Sequence, residues 1–98
     1  MKQNKIDKKF VYLISPSIIK DKSFYANLAL VLNTRKVNYF QLRLKKETNS
    51  KKLIIGKKIK KICKKYKVKF LINDDPVLAK KINADGCHLG QKDMDLIK

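Results

Sequence analysis

A parallel α/β fold is what this 98-residue sequence predicts, and three observations carry that expectation. Short apolar runs rich in aromatic and β-branched residues alternate with segments of helical period, giving the order β-α-β-α-β-α-β. Helical crossovers between successive strands require parallel pairing and right-handed connections. Polar residues gather just after the strands, the end at which parallel α/β folds build their sites. Two closures satisfy this pattern, a doubly wound sheet or a (β/α)8 barrel. No G-x-G-x-x-G follows the first strand, so the dinucleotide-binding version has no support.

The first element is Phe10-Val-Tyr-Leu-Ile14, a continuous apolar run closed by Ser15-Pro16 and expected as a strand buried on both faces. From Ser23 the period changes. Phe24, Leu28, Val31 and Leu32 follow helical spacing to about Thr34, with Ser23 as the expected N-cap. Val37 to Leu44 alternates, with Phe40, Leu42 and Leu44 on one face and Gln41, Arg43 and Lys45 on the other. A turn at Glu47 to Ser50 leads to a helix over Lys51 to Tyr66, its apolar positions Ile55, Ile59, Ile62 and Tyr66. Lys57, Lys58, Lys60, Lys61, Lys64 and Lys65 lie mostly opposite, as a solvated face does, and Gly56 marks close packing inside that helix. A third strand, Lys69 to Asn73, precedes Asp75 as N-cap and Pro76 at the first helical position. The short helix ends near Ile82, Asn83 to Gly86 turns, Cys87 to Gly90 is a fourth strand, and Gln91 to Lys98 begins another loop or helix.

Composition bounds the function. The net charge is +17, from 25 Lys plus Arg against 8 Asp plus Glu, yet only Arg35 and Arg43 among the cations are Arg. Nucleic-acid recognition leans on the bidentate guanidinium, and these cations are spread along the chain, so a solvated Lys surface is favoured over a nucleic-acid partner. Two cysteines, Cys63 and Cys87, indicate no disulfide framework and a reducing compartment. The apolar run near the N-terminus is too short for a signal-peptide core of about 7–15 residues, and nothing approaches the ~20 that span a bilayer. A cytoplasmic chain without membrane contact is the expectation, with residues 1–98 forming a single domain.

Three groups of polar residues fall at strand ends: Gln41, Arg43 and Lys45; Asn73 and Asp74; His88, Gln91 and Asp93. Carboxylates, cations and amides on one rim suit an anionic substrate held through a divalent metal. Asp74 and Asp93 are hard oxygen ligands of the kind Mg2+ takes, one or two at a time, completing its shell with water and phosphate. Arg43 and Lys45 then neutralise phosphate charge. Blander readings stand beside these: Gln41-x-Arg43-x-Lys45 as the solvent face of an edge strand, and both Asp74 and Asp75 as helix caps. Cys87 and His88 are neighbours on a strand and point to opposite faces, which argues against shared metal ligation. Cys63 beside Ile62 is expected in the core.

Phe40-Gln-Leu-Arg-Leu-Lys45, Leu71-Ile-Asn-Asp-Asp-Pro76 and Ala84-Asp-Gly-Cys-His-Leu-Gly-Gln-Lys-Asp93, taken together and in this order, resemble the successive signatures of the thiamine-phosphate synthase family. The resemblance runs from about residue 10 to the end. It implies the N-terminal half of a (β/α)8 TIM barrel that couples hydroxymethylpyrimidine diphosphate to thiazole phosphate with release of diphosphate. By the same resemblance Gln41, Arg43, Lys45 and Asn73 bind the pyrimidine diphosphate, Asp74 and Asp93 hold Mg2+, and no side chain acts as a nucleophile. Leu44 stands where the family usually has Glu, and by alternation it points away from the rim. The thiazole-phosphate residues, and a further Ser and Lys that contact diphosphate, belong to the family's second half and have no counterpart here. A truncated domain is therefore expected, inactive alone in full catalysis, able to bind Mg2+ and diphosphate, and open to self-association through its unpaired strand edges. Two rivals remain: the related thiazole tautomerase, against which Gln41-x-Arg43-x-Lys45 with Asn73-Asp74 argues, and a non-catalytic basic nucleic-acid-binding module acting through Lys51 to Lys69.

Overall fold

The computed structural model describes residues 11–89. Strands β1 (Tyr12–Ile14), β2 (Tyr39–Leu42), β3 (Lys69–Asn73) and β4 (Gly86–His88) alternate with helices α1 (Ser23–Leu32), α2 (Asn49–Lys65) and α3 (Pro76–Ile82). The order of elements matches the one expected from periodicity. All pairs are parallel, and the strands lie side by side in chain order, β1-β2-β3-β4. A doubly wound sheet reverses its strand order at a switch point, and no reversal occurs in this sheet. Successive right-handed crossovers without a reversal put every helix on one face, as in a barrel wall.

That face holds the core. Phe40, Leu42, Phe70 and Ile72 of the sheet pack with Leu28 and Leu32 of α1, Ile55, Ile59 and Cys63 of α2, and Leu78, Ala79 and Ile82 of α3. Phe40 and Phe70 are register partners on neighbouring strands, their rings stacked with centroids 6.4 Å apart. Gly56 is there because α2 lies tight on α3: a Cβ at this position overlaps Cδ1 of Ile82 and sits 3.5 Å from Cδ2 of Leu42.

The first strand departs from expectation. It was expected to be buried on both faces, yet Tyr12 is 46% and Ile14 55% exposed, and β1 is an edge of the described sheet. Helices cover only the Leu13 side, and an apolar run of this length carries no alternation that could reveal a bare face. Tyr12 instead stacks on its register partner Tyr39, with ring centroids 4.9 Å apart. Phe10, the expected start of this strand, lies outside the described residues, as do Gly90 and the segment Gln91 to Lys98.

Helix starts were partly legible. Asp75 caps α3 as expected, its carboxylate accepting the Leu78 N–H at 3.0 Å, with Pro76 at the first turn. Asn83 closes that helix in the left-handed conformation, φ 63°. Ser23 is not the cap of α1. Asp21 accepts the Ser23 N–H at 2.9 Å, which holds the Asp21 carboxyl below its usual range. α2 starts two residues earlier than expected because Thr48 accepts the Lys51 N–H at 3.2 Å. β2 is shorter than the alternation suggested, and it lies between β1 and β3, which removes the edge-strand reading of Gln41-x-Arg43-x-Lys45.

Candidate functional site

The C-terminal ends of four parallel strands form one rim. On β2 the expected row divides: Gln41 is buried at 4% exposure, whereas Arg43 and Lys45 are exposed just past the strand. Leu44 between them is buried, in agreement with its expected direction away from the rim. Asn73, the last residue of β3, is half-buried and paired in register with His88, the exposed last residue of β4.

Asp74 is exposed and adopts φ 53°, a left-handed conformation that Asp tolerates better than most residues. Its N–H donates to the His88 carbonyl at 2.8 Å, so β3 stays tied to β4 while the chain turns. Asp74 and Asp75 therefore have different jobs: the capping bond belongs to Asp75.

Lys45, Asn73 and Asp74 come together around a cavity of about 260 Å3, whose floor is Leu42, Leu44, Ile72 and Leu78. Asp75 and Lys52 complete the wall. Gln41 and Arg43 do not line it. Lys52 was not singled out from the sequence, where it is one of eight lysines along α2. Only packing of α2 beside β2 and β3 distinguishes it.

The β2 end is fastened to the β1 end. Ser15, 7% exposed, accepts the Arg43 N–H on its hydroxyl at 2.8 Å, and Ser17 accepts the Lys46 N–H on its carbonyl at 3.2 Å. Ser15 had been no more than a strand terminator in the sequence.

Among the described residues no group of three or more His, Cys, Asp or Glu side chains could hold a metal ion. Of the expected metal pair, Asp74 is in place at the rim and Asp93 lies outside the described residues, as does Gln91. An exposed carboxylate and an amide oxygen are ligands of the kind Mg2+ takes when phosphate oxygens and water complete its shell, and the two ammonium groups beside them would meet the phosphate charge.

The family model described as thiamine monophosphate synthase matches residues 11–98. The chain belongs to the thiamine monophosphate synthase family. It is 80% identical, over all of its length and 47% of the relative's, to thiamine-phosphate synthase of Pelagibacter ubique strain HTCC1062. Against thiamine-phosphate synthase of Campylobacter jejuni serotype O:2 it is 37% identical over 94 residues, 95% of this chain and 44% of that protein. Among solved structures, thiamine phosphate pyrophosphorylase from Pyrococcus furiosus superposes with a TM-score of 0.70 at 24% identity, covering 85% of this chain and 40% of that one. The chain thus spans about half the length of the curated relatives it matches, and its architecture is that of half a (β/α)8 barrel.

Proposed function

We propose that this chain carries the diphosphate and metal half of a thiamine-phosphate synthase, coupling hydroxymethylpyrimidine diphosphate to thiazole phosphate in thiamine biosynthesis. The observation that carries the proposal is the meeting of Lys45, Asn73 and Asp74 around one cavity, with Arg43 exposed on the same strand end. Arg43 and Lys45 bind and neutralise the diphosphate, Arg43 through its planar fork and Lys45 as a point charge. Asn73 and Gln41 orient the pyrimidine end through amide hydrogen bonds. Asp74, with Asp93, holds Mg2+, which when bound supplies Lewis-acid stabilisation of diphosphate charge.

The reaction breaks the bond between the pyrimidine methylene carbon and a diphosphate oxygen, and the electron pair leaves with diphosphate. The thiazole nitrogen then supplies the pair for the new carbon–nitrogen bond. Cations fixed where the leaving charge develops lower that barrier without a nucleophilic side chain. The presence of Gln41-x-Arg43-x-Lys45 together with Asn73-Asp74, and curated relatives named thiamine-phosphate synthase, favour the synthase over the tautomerase.

Calorimetric titration of the chain with inorganic diphosphate in the presence of Mg2+ tests it. Saturable heat that Arg43→Ala weakens about tenfold or more, and that Asp74→Ala makes independent of Mg2+, is the expected result; the scale follows from ~1.5–3 kcal/mol for a charged hydrogen bond. Absence of heat, or heat indifferent to both substitutions, excludes the assignment.

A further inference from the structure

The ladder between β1 and β2 ends in an unusual exchange. The Tyr39 N–H bonds to the carbonyl of Val11, the residue before its register partner Tyr12, and the Ser15 N–H bonds to the Gln41 carbonyl. A parallel ladder continued by one step would join the Arg43 N–H to the carbonyl of Ser15. Instead that N–H bonds to the Ser15 hydroxyl at 2.8 Å, and the hydroxyl donates in turn to the Pro16 carbonyl at 3.1 Å. A side chain has replaced the backbone acceptor at the point where β2 leaves the sheet. The replacement bond is part-buried, with Ser15 only 7% exposed, and it spans 28 residues of sequence. Pro16 has no N–H to extend the ladder and fixes its own φ, so the hydroxyl is held on a stiff corner.

We propose that Ser15 is a positioning residue for the anion site, its hydroxyl fixing the Arg43 backbone and so the direction in which the guanidinium leaves the rim. This rests on the diphosphate reading above and adds to it a residue outside the three signature segments. The hydroxyl both accepts and donates, a pair of roles that Ala cannot fill and Thr can. A positioning residue acts only through the group it positions, so its loss has no further effect once Arg43 is truncated.

The experiment is a double-mutant cycle on the whole chain, titrating inorganic diphosphate with Mg2+ into the unmodified protein, Ser15→Ala, Arg43→Ala and the double variant, with Ser15→Thr as rescue. Amide hydrogen exchange at Arg43 is followed by NMR alongside. Ser15→Ala is expected to weaken diphosphate binding about tenfold and to speed exchange at Arg43, the double variant to bind no more weakly than Arg43→Ala, and Ser15→Thr to restore both readouts. If Ser15→Ala does not fold, Ser15→Cys, similar in size and a weaker acceptor, takes its place with a several-fold loss expected. Equal binding by the hydroxyl-deficient variant and the unmodified chain, or an undiminished loss in the Arg43→Ala background, overturns the proposal alone. No binding by the unmodified chain overturns the diphosphate reading and this proposal with it.

Discussion

Cys63 sits in the middle of the core with no exposed surface, and burial, reinforced by the charge of Asp85, pushes its thiol up to about 12. The ordinary value for this thiol, which the unfolded chain is taken to keep, is 9.0. Above that pH the unfolded state releases a proton that the folded state keeps, so stability falls as pH rises from about 9 toward 12. The contribution is fully present below pH 9 and amounts to at most about 1.4 kcal/mol per pH unit above it. Thermal melts of the unmodified chain and Cys63→Ala between pH 8 and 10.5 check this: the decline is expected to be shallower in the variant. Alkylation at pH 8 is expected at half-buried Cys87 well before Cys63. The packing role of Cys63 was legible from its place beside Ile62 on a helix, because a 3.6-residue period assigns faces. The bond between Ser15 and Arg43 was not, because nothing local to either residue announces the other.

At the scale of elements, the contact between α2 and α3 turns on Gly56 and Ile82. Adding a methyl at Gly56 gains up to ~1 kcal/mol of helix propensity but drives it into Cδ1 of a side chain that is 4% exposed. Overpacking of that kind costs ~1–3 kcal/mol, so Gly56→Ala is expected to lose about 1 kcal/mol net. Ile82→Val removes the obstructing methyl and by itself costs ~0.5–1.5 kcal/mol. The double variant is therefore expected to be about 2 kcal/mol more stable than the two single losses add up to, because the clash itself is gone, as measured by urea unfolding. Helix boundaries show what sequence conveys at this scale. Asp75-Pro76 announced α3 because a cap and an N1 proline are chemical signals confined to neighbouring residues. Ser23 misled at α1, because the helix already begins at Ser23: Lys22 holds the cap position without a side-chain bond, and the Ser23 N–H donates to the Asp21 carboxylate.

Over the whole molecule, a net charge of +17 destabilises the compact state through mutual repulsion of its lysines. Raising NaCl from about 20 mM to about 500 mM shortens the Debye length from roughly 20 Å to about 4 Å, and the melting temperature is expected to rise by several degrees. A melting temperature that falls with salt instead would mean that attractive surface pairs dominate. What the sequence by itself determined is the order and type of the elements, the parallel sense of the sheet, the burial of Cys63 and the gathering of polar residues after the strands. These are consequences of period, capping and crossover length, all local properties. The half-barrel expected from the family resemblance, with its helices on one face and β2 inside the sheet, is what the structure has. Only the tertiary structure decided that β1 leaves Tyr12 and Ile14 exposed and that Lys52 joins Lys45, Asn73 and Asp74 around one cavity. Each of those depends on which strand lies beside which. Pairing between segments tens of residues apart is set by the joint packing of all of them, and no single stretch of the chain encodes it.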